Sequence, residues 1–276
     1  MFWTRCASGI VLLVIAFGSI GLGGPVLAGI LLIISLIAYR ELTRALKVNA
    51  DAEKYHFNGQ EMAGFLGVIL YYAAVYFSET DTLRLMCIVG VFLAEMFLYV
   101  ITFPKFRAEQ TAAAVFAFLY APVMLSFIYL TRATQVGAYM VWLILISSWG
   151  CDTCAYVVGK LIGKKKIFPV LSPHKSLEGC IGGMAGAALI GGLYAYFLVR
   201  REILDLSVVW LVAVICAAGA VMSMVGDLAA SAIKRNHDIK DYGKLIPGHG
   251  GIMDRFDSVI VTAPMVYFLM VLMISA

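Results

Sequence analysis

A polar, glycine-rich passage at residues 223–257 interrupts a chain that is otherwise strongly apolar. If the run that enters this passage is helical, its polar side chains recur at intervals of four, four and three residues and share one face. The predicted helix therefore carries a polar stripe of two serines, a carboxylate and a lysine. These residues are Ser223, Asp227, Ser231 and Lys234.

The same passage closes with two more carboxylates, at the start of the next apolar run. Asp254 and Asp257 are three residues apart and share a helix face. Several cations and a loop with four glycines separate them from Asp227. Carboxylates, cations and close-approaching backbone amides suit the binding of a divalent metal with its polyphosphate. The ligand that this chemistry predicts is a nucleotide.

The order of residues in this passage is more specific than its composition. It reads Ser231-x-Ile-Lys-Arg-x4-Lys240-Asp241-x-Gly243-x2-Ile246-Pro247-x-His249-Gly-Gly-Ile252-x-Asp254-Arg255-Phe256-Asp257. This pattern resembles the signature of phosphatidate cytidylyltransferases, also called CDP-diacylglycerol synthases, and departs from it at no position. A polar loop whose glycines only make turns would explain the glycines but not three aspartates near membrane depth.

A second polar region, from Asp152 to Gly183, resembles the same family. The family pattern is similar to Asp-x-x-Ala-Tyr followed by Ser-Pro-x-Lys-Thr-x-Glu-Gly-x-x-Gly-Gly. The one departure is Ser176 in place of threonine, which keeps the hydroxyl group. The resemblance implies functional roles for Lys175 and Glu178. The nearby cluster Lys164–Lys166 has a simpler alternative as a basic anchor at the membrane surface.

The composition predicts the class of protein in which these motifs lie. The 276 residues are 62% hydrophobic and 14% charged, with a mean hydropathy of +0.91, so the apolar runs exceed any core they could fill. The net charge of +4 indicates no nucleic-acid partner. Cys151 and Cys154 have the spacing of a redox or zinc site but lack a second pair of soft ligands, so Asp152 between them is the expected functional residue.

Nine apolar runs are long enough to cross a bilayer, which predicts an all-α polytopic membrane protein with about nine transmembrane helices. The weakest boundary is the short turn at 21–25, where a fused hairpin or a re-entrant segment is an alternative. We divide the protein into an N-terminal scaffold at 1–130 and a catalytic region at 131–276. The predicted runs are 7–22, 24–42, 61–78, 82–102, 109–130, 136–158, 180–199, 207–230 and 253–275.

Basic residues are distributed unevenly between alternate loops. With nine spans, seventeen of the 21 lysines and arginines lie on one side, and the other side has Arg84, Arg132, Arg200 and Arg201. This bias predicts a multi-pass protein of the cytoplasmic (inner) membrane whose two motif loops face the cytosol. Tyr71, Tyr72, Tyr76 and Phe77 are typical of an aromatic belt at the interface.

The family resemblance implies a reaction and roles for individual residues. CTP and phosphatidic acid would give CDP-diacylglycerol and pyrophosphate in phospholipid biosynthesis, with Mg²⁺ as cofactor, a second cation as a further expectation, and a homodimeric assembly. Mg²⁺ would be held by Asp227, Asp254 and Asp257, with Asp152 nearby or on the second cation. The remaining catalytic residues would be Lys234, Arg235, Lys240, Asp241 and Arg255, and the substrate contacts Ser172, Lys175, Ser176, Glu178, Ser223, Ser231, His249, Gly250 and Gly251.

Two other functions remain as alternatives. A CTP-dependent lipid-alcohol kinase resembles this superfamily, although the intact signature from Lys240-Asp241 to Asp254-Arg255-Phe256-Asp257 disfavours it. An ion-coupled transporter would use Asp152, Asp227 and Glu95 as its ion path, but it has no need of a lysine- and glycine-rich loop. We expect Glu41 to form an interfacial ion pair with Arg40 or Arg44, and for Glu95 we leave open a packing hydrogen bond or a role in the site.

Overall fold

The computed structural model describes residues 2–49, 57–169, 171–173, 175–248 and 250–274. In these residues, and with adjoining helical segments taken together, the chain forms nine helices and no β-strand. The helices are α1 (Phe2–Leu22), α2 (Gly24–Ala45), α3 (Gly59–Phe77), α4 (Asp81–Ile101), α5 (Ala108–Arg132), α6 (Gly137–Ile162), α7 (Leu177–Arg200), α8 (Leu206–Asn236) and α9 (Met253–Met273).

Eight of these helices, α2 to α9, are long and apolar enough to cross a membrane. In α1 the apolar part is the shorter stretch Gly9–Leu22. The turn between α1 and α2 consists of Gly23 alone, with φ 63°, followed by Gly24 with φ 49°. Left-handed backbone of this kind is accessible to glycine without a steric cost. The prediction of an all-α, multi-pass membrane protein is confirmed.

Two helices contain an irregular turn. A π-helical turn lies at Leu119–Val123 in α5, around Pro122, and another lies at Ile146–Gly150 in α6. Such turns break the regular hydrogen-bond ladder and occur often at functional sites. In α6 the regular helix resumes immediately before Asp152.

The chain divides into two compact units. The first comprises the residues up to Tyr129 together with Asn236–Arg255, and the second comprises Leu130–Arg235 and the residues from Phe256 onwards. The predicted division at residue 130 lies beside one of these boundaries. The segment 236–255 groups with the first unit, although the sequence interpretation placed it in the catalytic region. The division into an N-terminal scaffold and a catalytic region remains a prediction.

Polar side chains link the helices of the first unit. The Tyr72 and Ser35 hydroxyls are 2.7 Å apart, and those of Tyr71 and Ser126 are 3.0 Å apart. Both tyrosines are buried, so their assignment to an interfacial belt is wrong. Their neighbours give the reason, because a buried phenol needs a hydrogen-bond partner and two serines on other helices supply one.

In the second unit, α6 and α7 pack closely through small residues. A Cβ atom added at Gly183 would lie 2.9 Å from the Cys151 sulfur, and one added at Gly186 would lie 2.5 Å from the Cys154 sulfur. Glycine on one helix therefore allows the cysteines of the other to approach its backbone, as is common between membrane helices. Both cysteines are free and serve this contact as small packing groups.

Candidate active site

A cavity of about 420 Å³ in the second unit is formed by α6, α7, the loop between them and one residue of α8. The loop folds back on itself, since the Leu177 N–H donates to the Lys165 carbonyl at 2.9 Å. Lysines, hydroxyls and one carboxylate converge on the cavity, which suits a ligand rich in phosphate. Its charged and hydroxyl-bearing lining residues are Asp152, Tyr156, Lys160, Lys166, Ser172, Lys175 and Ser176.

The ion pair between Lys175 and Asp227 brings α8 to this cavity. The Lys175 Nζ lies 2.5 Å from the Asp227 Oδ2, which is an ion-pair distance. The ammonium forms no hydrogen bond of good geometry within the described residues. The two side chains are 20% and 33% exposed, whereas the Lys175 Nζ itself is buried. Asp152 lies within electrostatic range of both. Lys175 and the two carboxylates thus form one charged cluster beside the cavity.

Ser176 and Glu178 organise the loop that carries the lysines. The Ser176 hydroxyl accepts a hydrogen bond from the Gly179 N–H at 3.2 Å and so caps α7. The Glu178 carboxylate accepts from the N–H groups of Lys164 at 3.0 Å and Lys165 at 3.3 Å. These contacts fix the loop backbone beside the cavity. The roles of both residues as substrate contacts remain predictions.

Gly226 brings α8 and α9 together next to Asp227. A Cβ atom at this glycine would lie 2.6 Å from the Asp257 carbonyl oxygen and 3.1 Å from a Val261 methyl group. Only glycine fits without a shift, so the two helices touch one residue away from Asp227 and at Asp257 itself. This contact is compatible with a shared role for the two carboxylates.

The first unit contains the glycine-rich loop of the signature and Asp254. The Asp254 Oδ2 accepts hydrogen bonds from the N–H groups of Tyr242 at 2.9 Å and Gly251 at 3.0 Å. Asp254 is only 7% exposed. The loop reverses at Gly248 and Gly250, with φ of 79° and 86°. Asp254 thus joins both ends of this loop.

The remaining predicted site residues are distributed over the same two regions. Ser223 is fully buried in α8 and its hydroxyl has no partner among the described residues, whereas Ser231 is half-buried. His249 lies outside the described residues. The other cationic and acidic positions of the signature lie at the end of α8, in the following loop and at the start of α9: half-buried Lys234 and exposed Arg235, Lys240, Asp241 and Arg255.

The structure corrects the interpretation of Glu41. Its carboxylate accepts hydrogen bonds from the N–H groups of Ile252 at 3.2 Å and Met253 at 2.8 Å. Arg40, an expected ion-pair partner, instead binds Glu61. The sequence offered no signal for this contact, because more than 200 residues separate its partners.

Magnesium is expected to bind carboxylate oxygens, the ligands that it prefers in proteins. Asp152 and Asp227 belong to one charged cluster, and Asp257 lies where α8 contacts α9. In the part of the chain that the structure describes, no three or more histidine, cysteine or acidic residues are already arranged as a metal site. The metal ligands therefore remain a prediction.

Several curated proteins are similar to this chain. A phosphatidate cytidylyltransferase from Thermotoga maritima is 36% identical over 198 residues, which cover 71% of this chain and 71% of that protein. One from Bacillus subtilis is 38% identical over 146 residues, 53% of this chain and 52% of that protein. One from Staphylococcus saprophyticus is 35% identical over 152 residues, 55% and 56% of the two chains. The aligned part is little more than half the length of the last two relatives.

A family profile gives a wider match than these pairwise comparisons. The profile described as the Cytidylyltransferase family matches residues 3–273, which include both polar motifs and, except for Phe2, the nine helices described above. The resemblance of the two motifs therefore extends to the helices that position them. The chain belongs to the cytidylyltransferase family.

Proposed function

We propose that this protein transfers the CMP group of CTP to phosphatidic acid, which gives CDP-diacylglycerol and pyrophosphate. The observation that carries the proposal is the lysine-lined cavity at which Lys175 meets Asp227. A cation and a carboxylate at one cavity can serve a phosphate and its counter-cation. The similar proteins named phosphatidate cytidylyltransferase support this choice of reaction.

The proposed chemistry is a displacement at the α-phosphorus of CTP. An oxygen of the phosphatidate monoester forms the new bond, the bond from the α-phosphorus to the bridging oxygen breaks, and pyrophosphate leaves with that electron pair. The nucleophile is already an anion near neutral pH, so no strong general base is needed. The protein must then align two phosphates and neutralise their charge.

The carboxylates and lysines divide this work between them. Asp227 and Asp257, with Asp254, are the proposed holders of Mg²⁺, and Asp152 is the proposed ligand of any second cation. When bound, Mg²⁺ supplies positive charge to the phosphate oxygens of CTP. Lys175 would turn from Asp227 toward a phosphate as the carboxylate engages its cation.

Further cations are proposed to bind the lipid phosphate and the departing pyrophosphate. Lys160 and Lys166 line the cavity with Lys175, although the sequence interpretation did not include these two in the site. Pyrophosphate leaves with several negative charges, so more than one cation is needed to stabilise it. The proposed remaining contacts are Lys234, Arg235, Lys240 and Arg255.

We also propose that the motif loops face the cytosol, at the inner membrane, because the basic residues lie predominantly on their side. In a background without other accessible cysteines, Glu202→Cys should react with an impermeant thiol reagent in intact spheroplasts. Lys244→Cys should react only after lysis, and the reverse pattern would invert the topology.

A homodimer is proposed on the family resemblance, and the mass of the detergent-solubilised protein tests it.

Incubation of the purified protein with phosphatidic acid, Mg²⁺ and CTP tests the reaction. Label from [α-³²P]CTP should enter the lipid phase with one pyrophosphate released for each lipid labelled. Lipid labelling from [γ-³²P]CTP with diacylglycerol as acceptor would instead identify a lipid-alcohol kinase. No labelling with either nucleotide would overturn the proposed function.

A further inference from the structure

Glu41 of α2 is a buried carboxylate that the proposed chemistry does not use. It is 8% exposed, and its two oxygens accept hydrogen bonds from consecutive backbone N–H groups, those of Ile252 and Met253. Met253 is the first residue of α9. Glu41 therefore binds the junction between the glycine-rich loop and the helix that carries Asp254.

The loop is also built around the Glu41 carboxyl group. A Cβ atom at Gly251 would lie 2.5 Å from the Glu41 Oε2 and 2.6 Å from its Cδ, and one at Gly243 would lie 2.8 Å from that Cδ. The φ of Gly251 is not in the left-handed region, so its own backbone does not require glycine. Glycine is required at position 251 because the Glu41 carboxyl group occupies the space that a side chain would need. Two glycines of the signature thus accommodate one side chain from α2.

The Glu41 carboxylate lies at the N-terminus of α9. The first N–H groups of a helix have no partner within that helix, and they carry partial positive charge. Hydrogen bonds from such groups to an ionised acceptor are stronger than those to a neutral one. Asp254 satisfies the N–H groups of Tyr242 and Gly251, and Glu41 satisfies the next two along the chain. The two carboxylates together hold four backbone donors of one loop.

We propose that Glu41 is a positioning residue, which holds the loop backbone at Ile252 and Met253 so that Asp254 and the adjoining signature residues keep the geometry needed for nucleotidyl transfer. Its part in turnover rests on the proposed function. It acts through the backbone of Ile252 and Met253 and need not touch a substrate. A displacement of about 1 Å in a catalytic array can cost about a hundredfold in rate, so the loss of one carboxylate can matter at a distance.

Glu41→Gln tests the proposal because it keeps the shape but replaces one acceptor by an NH₂ group that faces a backbone N–H. We expect kcat per folded protein to fall by about tenfold to a hundredfold, while the KM for CTP changes by less than about threefold. Amide exchange at Ile252 and Met253 should accelerate. Glu61→Gln is the matched control, since Glu61 is a fully buried carboxylate of the same unit that accepts a backbone N–H, that of Asn58, at the start of α3.

A kcat within twofold of the wild-type value would overturn the proposal, as would a loss matched by Glu61→Gln or explained by a smaller folded fraction. If the wild-type protein makes no CDP-diacylglycerol, the proposed function fails, but amide exchange still reports whether Glu41 holds the loop. Unchanged exchange in Glu41→Gln would then overturn the positioning role as well.

A double-mutant cycle covers the case in which Glu41→Gln folds poorly. Gly251→Ala alone should slow turnover and accelerate exchange at Met253, because its methyl group displaces the carboxylate. In a Glu41→Ala background the same methyl group has room, so the additional loss from Gly251→Ala should be several-fold smaller. Purely additive losses would show that the two residues do not share this space and would overturn the proposal.

Discussion

The two polar regions of this protein use carboxylates in different ways. At the cavity of the second unit, Asp227 is 33% exposed and faces the Lys175 ammonium. In the loop of the first unit, Asp254 and Glu41 are 7% and 8% exposed and face backbone N–H groups. A partly exposed carboxylate beside a cavity can exchange its partner for a ligand, whereas buried carboxylates on backbone donors fix a conformation. We therefore expect Asp227 to act on a ligand, whereas Asp254 and Glu41 shape the loop.

This difference has a consequence for the predicted metal ligands. The sequence motif presents Asp227, Asp254 and Asp257 as equivalent acids. In the structure Asp254 has a structural task in addition to any metal, because one of its oxygens already binds two backbone groups. Substitutions at the three positions should therefore differ in their effect on stability even where they agree in their effect on turnover.

The largest effect is expected from Asp227→Asn, which removes the charge but keeps the shape. Turnover should fall by about 10²–10³ or more, because a charge-stabilising group is lost from the site. The midpoint of thermal unfolding in detergent should fall less than in Asp254→Asn, since the Asp227 side chain is 33% exposed whereas Asp254 is only 7% exposed. Asp254→Asn should lower both turnover and the unfolding midpoint. Equal unfolding midpoints for the two variants would show that Asp254 stabilises the fold no more than Asp227 does.

A variant with all three aspartates replaced by asparagine tests whether they share one cation. If Asp227, Asp254 and Asp257 hold one cation, the turnover of the triple Asn variant should be close to that of the poorest single variant. The dependence of the rate on Mg²⁺ concentration should shift in each single variant. Near-normal activity and an unchanged Mg²⁺ dependence in Asp254→Asn would limit Asp254 to its structural task.

A loss of about 10² in turnover is expected for Lys175→Met, because the variant removes the ammonium that faces Asp227 within the cavity. Lys165→Met is the control, since Lys165 is exposed and does not line the cavity. It should reduce turnover by less than about threefold. Initial rates with saturating CTP and phosphatidic acid measure both effects. Equal losses would indicate that the lysines act only through their summed charge.

The smallest of these effects, about tenfold in turnover, is expected from Gly226→Ala. Its methyl group meets the Asp257 carbonyl and must push α8 from α9 beside Asp227. Gly192→Ala is the matched control, because a Cβ there meets its nearest neighbour, in Ala213, at an ordinary 3.6 Å. The control should keep wild-type turnover and gain a little helix stability. Identical turnover in the two variants would show that the α8 and α9 contact does not position the carboxylates.

Much of the fold could be predicted from the sequence because bilayer thickness sets the length of an apolar helix. The predicted runs and the observed helices agree closely at most ends. The main difference is α8, predicted to end at residue 230 but observed to reach Asn236. Hydropathy marks where the apolar run ends, whereas backbone hydrogen bonds continue the helix through Ser231, Lys234 and Arg235.

The motif residues were also predictable, because the signature is dense and local in sequence. Asp152, Ser172, Lys175 and Ser176 were predicted separately from two short patterns, and all four line one cavity. The family resemblance implied their roles, with Asp152 beside a cation and the other three in contact with substrate. The family assignment required no information about distances.

Only the tertiary structure decided which carboxylate faces which partner. Lys175 was predicted to bind phosphate and Asp227 to bind metal, yet the two meet each other. Glu41 was expected to pair with a neighbouring arginine and instead binds a loop more than 200 residues away. Residue types and spacing specify which helices form and which groups can do chemistry. Contacts between distant segments depend on how the helices pack, and neither local spacing nor hydropathy encodes that packing.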